Sequence, residues 1–143
     1  MLQTCSELNV QLVGYSPFSS FPFSMLPLDD PLVEVIAAQR QSLASRDKSK
    51  TEMLATPAAV LTQWSIQQGV AVIPRSTNMS NLATNYAAAV AVGTGLIQEG
   101  KLRGSAMKGT ILSSDEMALL SSLSNLVSSP LVKPNYGTEP SNI

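Results

Sequence analysis

Arg75, Ser76, Thr77 and Asn78 place a cation, two hydroxyls and an amide at four successive positions. They follow the apolar run Val70, Ala71, Val72, Ile73 and then Pro74. Such a set suits an anion, because a guanidinium presents forked donors to phosphate and hydroxyls add further donors. A helix starting near Asn78 would add the partial positive charge of its first free N–H groups. The plain alternative is a buried strand followed by a surface turn with a solvated arginine. The stretch alone leaves both readings open. A second set of polar groups follows the run Val10 to Gly14, where Tyr15, Ser16 and Pro17 sit in the same relation to their apolar segment.

Other chemistry is excluded or weakly supported. The chain has no histidine, which removes histidine-based triads, the commonest general base and most zinc sites. Its single cysteine, Cys5, cannot form a disulfide within the chain. Gly95 to Leu102 nearly matches a phosphate-binding P-loop, but Leu102 stands where a magnesium-binding hydroxyl is required, and Glu99 would oppose the phosphates. It is read as coincidence, and Gly93, Gly95 and Gly100 also miss the dinucleotide spacing. Asn78, Met79 and Ser80 match a glycosylation acceptor, which is read as chance because the N-terminus shows no secretory pattern. Asp115 and Glu116 are read as helix-start charges rather than catalytic carboxylates.

The elements that must hold Arg75 and Tyr15 can be read from periodicity and caps. Leu2, Cys5 and Leu8 suggest a short N-terminal amphipathic helix. Val10 to Tyr15 is a strand candidate ended by Pro17, and Val70 to Ile73 is expected to be a strand buried on both faces and ended by Pro74. Phe18 to Pro27 holds all three phenylalanines and reads as a loop that plugs the core or acts as a lid. Asp30-Pro31 and Thr56-Pro57 are cap-and-proline helix starts. Leu32, Val33, Ile36 and Ala37 would form the buried face of the first of these helices. Pro57, Val60, Leu61, Trp64 and Gln68 mark a face on the second, which Gly69 closes. Gln39 to Glu52 reads as an exposed polar extension. An alanine-rich helix continues through Tyr86 to Val92, with an irregular glycine-rich stretch expected from Gly93 to Met107. Ser113 and Glu116 have capping-box spacing ahead of Met117, Leu120, Leu123 and Val127 on one helical face. Strand, two helices and strand in that order fit a crossover between parallel strands, hence an α/β fold.

Taken together, VQLVGYSPFSS at Val10–Ser20 and GVAVIPRSTNMSNLATN at Gly69–Asn85 resemble the closing strands of the aldo-keto reductases. The resemblance runs from about Leu2 to Asn85, and Leu112 to Leu120 (LSSDEMALL) is similar to the family's last helix. It implies the C-terminal part of a (β/α)8 barrel, an incomplete barrel of two parallel strands with crossover helices, and the cofactor NADP(H). By resemblance, Tyr15 would stack on the nicotinamide, while Ser16, Phe18 and Ser20 would line the pyrophosphate. Arg75 would grip the adenosine 2′-phosphate with Ser76 and Asn78 beside it, and Asn85 would contact adenine. The sequence departs from the family at Asn81, where arginine is usual, at Thr84, where glutamate is usual, and by roughly twenty extra residues between Asn85 and Ser113.

A complete barrel of this class takes about 250 residues, against 143 in this chain. The family's catalytic aspartate, tyrosine, lysine and histidine come from earlier strands, so the resemblance implies a cofactor-binding segment without turnover of its own. A small carbonyl substrate would be a partner only of a completed barrel. The alternatives are a non-catalytic NADPH-binding or regulatory module, and a gene fragment without independent function. The expected division is a partial barrel over 1–127, interrupted by an insertion at about 93–112, and a flexible tail over 128–143. With Lys plus Arg at 9 and Asp plus Glu at 10, the net charge of −1 gives no general attraction to nucleic acid or an anionic membrane. A soluble, cytoplasmic protein is the expectation.

Overall fold

The computed structural model describes residues 1–18, 27–44, 52–98 and 111–127. In chain order these form α1 (Leu2–Glu7), β1 (Leu12–Tyr15), α2 (Pro31–Ala44), α3 (Pro57–Gln67), β2 (Val70–Ile73), α4 (Met79–Gln98) and α5 (Ser114–Val127), with 3-10 turns at Pro27–Asp29 and Glu52–Leu54. β1 and β2 pair in parallel, Leu12 opposite Val70 and Tyr15 opposite Ile73, with α2 and α3 in the crossover between them. The fold is therefore mixed α/β, as the order of elements predicts.

The helix starts follow from local side-chain chemistry. Asp30 Oδ1 accepts the Leu32 N–H at 2.9 Å, ahead of Pro31 in the first turn of α2. Thr56 Oγ1 accepts the Ala59 N–H at 3.2 Å, and Pro57 opens α3 with its fixed φ. At α5, Ser113 Oγ accepts the Glu116 N–H at 3.2 Å while Glu116 Oε2 accepts the Ser113 N–H at 2.7 Å, a complete capping box. Gly69 takes a φ of 80°, left-handed geometry that tolerates no Cβ easily, and so turns the end of α3 into β2.

The main core lies between α2, α3 and α5. Val33, Ile36, Ala37, Val60, Leu112 and Leu120 are buried there, with Leu32, Leu61, Trp64 and Met117 packed against them. A second cluster of Leu54, Ala59 and Ala88 joins α3 to α4, where small side chains let the two backbones approach. On α3 the buried positions are Ala59, Val60, Thr62 and Gln63, so the face is shifted from the expected one and carries two polar residues. Leu123 and Val127, expected on the face of Leu120, lie outside the described side chains.

Four expectations need correction. β2 is covered on one face only: Val70 and Val72 are half-buried, whereas Ala71 and Ile73 are exposed. With Val13 and Tyr15 they form an open apolar face, because nothing among the described residues packs on that side of the two-stranded sheet. α1 forms as expected but fully buries no residue: of its apolar stripe Leu2 and Leu8 are exposed and Cys5 is half-buried. Gln39 to Ala44 is the end of α2 rather than a separate extension, and residues 45–51 of that stretch lie outside the described residues. Gln39, Gln41, Ser42 and Leu43 are exposed as expected, but Ala44 is buried and Arg40 is only 5% exposed. Its Nη1 pairs with Glu116 Oε2 at 3.1 Å and donates to the Ile111 carbonyl, while Nη2 donates to Gln63 Oε1, which ties α2 to α3 and α5.

The fourth correction concerns α4, which runs straight through Gly93 and Gly95 to Gln98. Each glycine weakens a helix by about 1 kcal/mol relative to alanine, too little to stop one already long and alanine-rich. Helical geometry at Gly95–Gln98 also leaves no P-loop there. The remainder of that motif, most of the 93–112 insertion, the bulk of the Phe18 to Pro27 loop and the 128–143 tail lie outside the described residues.

Candidate functional site

β2 ends at Ile73, and Pro74 carries the chain out to Arg75. Arg75 is exposed and makes no hydrogen bond or ion pair among the described residues. Ser76 and Asn78 then build the entry to α4. Ser76 Oγ accepts the Asn78 N–H at 3.1 Å, and Asn78 Oδ1 accepts the Ser80 N–H at 2.8 Å, capping the helix. The capping side chains thus satisfy one helix N–H and hold Arg75 at the start of the turn.

A cavity of about 560 Å³ opens beside this turn. Phe18, Arg75, Ser76 and Asn85 line it, four of the residues expected from sequence. Its walls also come from the first turn of α3, with Thr56 and Pro57, and from the start of α4, with Ser80, Asn81 and Thr84. Two helix N-termini, each with partial positive charge, therefore flank the same space as the guanidinium. Asn85 is only 8% exposed, and its Oδ1 has no hydrogen-bond partner among the described residues. A buried acceptor left unpaired in this way costs stability, of order 1–3 kcal/mol.

Other expected residues lie apart from this cavity. Tyr15 is 83% exposed at the end of β1, on the open face of the sheet with Ile73 beside it. Ser16 is exposed and takes a left-handed φ of 49°, a strained geometry for a non-glycine residue immediately before proline. Asn78 spends its side-chain oxygen on the helix cap, and Ser20 lies outside the described residues. Asp29 and Glu34 also line the cavity, and no local sequence pattern assigned either to the site. The signal that points to them is topological: a helix antiparallel to its strand places its first turn at the strand's carboxyl end, where α/β folds bind ligands.

A second cavity, of about 260 Å³, lies at the amino ends of the strands, between α1 and the turn at Gln68 and Gly69. Cys5, Asn9 and Gln11 line it, and no charged side chain does. Among the described residues no group of histidine, cysteine, aspartate or glutamate side chains could hold a metal ion. No helix there is long and apolar enough to cross a membrane.

The chain is similar to the NADPH-dependent aldose reductase GRE3 of Saccharomyces cerevisiae, 28% identical over 85 residues. The match spans 59% of this chain and 25% of that protein. No family model matches the chain, and no solved structure matches it.

Proposed function

We propose that this chain forms the adenosine-phosphate end of an NADP(H) site, at the carboxyl side of two parallel strands belonging to an incomplete (β/α)8 barrel of the aldo-keto reductase kind. The observation that carries the reading is the cavity itself, whose lining brings Arg75, with no ion pair among the described residues, together with Ser76 and Asn85 at the carboxyl end of β2. An adenosine 2′-phosphate supplies both complements, an anion for the guanidinium and an exocyclic amine for the amide oxygen. Size agrees, since roughly 300–1,000 Å³ is usual for small-molecule sites. The likeness to an NADPH-dependent aldose reductase supports the same assignment.

In this reading Arg75 donates two N–H groups to the 2′-phosphate, Ser76 donates its hydroxyl alongside, and the first turns of α3 and α4 contribute their dipoles. Asn85 accepts from adenine through Oδ1, while Asn78 acts on the turn by holding the cap. Phe18 and Ser20 belong to the pyrophosphate side, with the strained Ser16 turning the chain from β1 towards it. Tyr15 stands at the end of β1, where its ring can cover the nicotinamide. When bound, the cofactor supplies a hydride to a carbonyl carbon. No histidine is available to assist, so the chain is proposed to hold the cofactor without turning it over. The open face of Val13, Tyr15, Ala71 and Ile73 favours the same division of labour, because further strands would be needed to enclose a reacting carbonyl.

Titration with NADPH, followed by cofactor fluorescence, tests the assignment. Binding that weakens about tenfold or more in Arg75→Ala supports it, in line with the worth of a charge-assisted phosphate contact. Equal binding by the two proteins removes the role given to Arg75.

A further inference from the structure

We infer that this chain self-associates through the outer face of α4, two copies pairing antiparallel about a twofold axis at Tyr86. The seam lies on the opposite side of the helix from the cavity and leaves the cavity open.

α4 carries no charged residue from Met79 to Gln98, and it has two apolar faces rather than one. Ala88 and Val92 are buried on one side, where Ala88 packs with Ala59 of α3. On the other side Met79 is 76% exposed, Leu82 38%, Tyr86 73% and Val90 40%. At 3.6 residues per turn these four fall within about 80° of one another, Gly93 falls among them, and the cavity-lining Ser80, Asn81 and Thr84 point away. A helix that is apolar all round is one that is covered all round. Gly93 points to the same conclusion. A glycine inside a helix weakens it, yet beyond the helix's own backbone no described atom lies within 4 Å of where a Cβ would sit. Among the described residues, nothing in the chain itself requires that position to be bare.

A second copy fits this face because the stripe is complementary to itself. Met79, Leu82, Tyr86, Val90 and Gly93 are spaced symmetrically about Tyr86. An antiparallel copy therefore sets Met79 against Gly93 and Leu82 against Val90, each contact made twice, with the two Tyr86 rings meeting at the axis. The long Met79 side chain thus faces the position that has none, large against small as close packing requires. Antiparallel helices also oppose their dipoles favourably, and neither copy brings a charged side chain to the seam. The four exposed side chains offer about 450 Å² per copy, taking a whole large side chain as about 200 Å². Two copies bury about 900 Å² before the exposed Ala83 and the backbone at Gly93 are counted, which reaches the roughly 1,000 Å² expected of a specific interface. An interface of that size and composition gives a dissociation constant of order 10 µM.

Sedimentation velocity of the full chain, loaded from about 1 to about 200 µM, tests the inference. Wild type is expected to pass from monomer to dimer across that range. Tyr86→Glu places two carboxylates together at the axis and should weaken the dimer at least about tenfold. Leu119→Glu, at an exposed apolar position on α5, should leave it unchanged. Leu82→Lys and Val90→Glu should each weaken the dimer, while the double variant pairs opposite charges across the seam twice and should recover most of the loss. Gly93→Ala should act in two directions, raising the urea midpoint of the dilute monomer through helix propensity and weakening the dimer about threefold or more. Trp64 emission and helical circular dichroism check that each variant is folded. A wild type that stays monomeric at the highest loading overturns the inference. So does a dimer indifferent to Tyr86→Glu, a dimer disrupted instead by Ile73→Glu on the open sheet face, or a double variant no better than either single one. None of these readings depends on NADPH, so the inference and the functional proposal fail separately.

Discussion

Replacing Glu116 by alanine strands a buried cation and uncaps a helix in one step. Arg40 is 5% exposed and Glu116 20%, and their side chains meet at 3.1 Å. Removing one partner of a fully buried pair costs about 3–5 kcal/mol, because the other charge remains desolvated. Two features lower that figure here: Glu116 is partly hydrated, and Arg40 keeps the Ile111 carbonyl and Gln63 Oε1 as acceptors. Loss of the capping box, in which Glu116 accepts the Ser113 N–H, adds about 1 kcal/mol. The expected destabilisation is about 3 kcal/mol. Urea unfolding followed by tryptophan fluorescence measures it well. Trp64 is the single tryptophan, and its Nε1 donates to Ser121 on α5 at 3.4 Å, so its emission reports on whether α5 is docked. Adding Arg40→Met to Glu116→Ala removes the stranded charge and should recover at least about 1 kcal/mol. A Glu116→Ala variant within about 0.5 kcal/mol of wild type, the usual range for surface changes, would refute the reasoning. So would a double variant no more stable than the single one.

Two smaller perturbations bear on buried acceptors. Thr62 is 0% exposed and its hydroxyl oxygen has no hydrogen-bond partner among the described residues, so Thr62→Val should raise unfolding stability by about 1 kcal/mol, and a loss of that size in urea titration would show the hydroxyl has a partner. Asn85→Leu should stabilise the free protein by a similar amount, about 1 kcal/mol, while weakening NADPH binding about three- to tenfold. Unchanged NADPH affinity in calorimetry would remove Asn85 from the site.

What could be read in the sequence was local. The caps at Asp30, Thr56 and Ser113 formed because each depends on a side chain and an N–H two or three positions apart. The parallel pairing of β1 and β2 follows from the length and helical content of the chain between them. Within the candidate site, the position of Arg75 after a strand and proline was legible for the same reason. The burial of Arg40 was not, since its carboxylate partner lies 76 positions away and leaves no pattern in the residues around it. An unbroken apolar run such as Val70 to Ile73 cannot tell one covered face from two, because that depends on which other strands and helices are present. Asp29 and Glu34 reach the cavity beside Arg75 only through the packing of α2 and α3 at the end of β2, which no local pattern around either residue encodes.

Calorimetric titration of the chain with halves of the cofactor tests the central claim most directly. Adenosine 2′,5′-bisphosphate carries the groups assigned to Arg75, Ser76 and Asn85, and nicotinamide mononucleotide carries none of them. The account predicts saturable binding of the bisphosphate that weakens about tenfold or more in Arg75→Ala, with little binding of the mononucleotide. Tighter binding of the mononucleotide, or bisphosphate binding indifferent to Arg75, would contradict it.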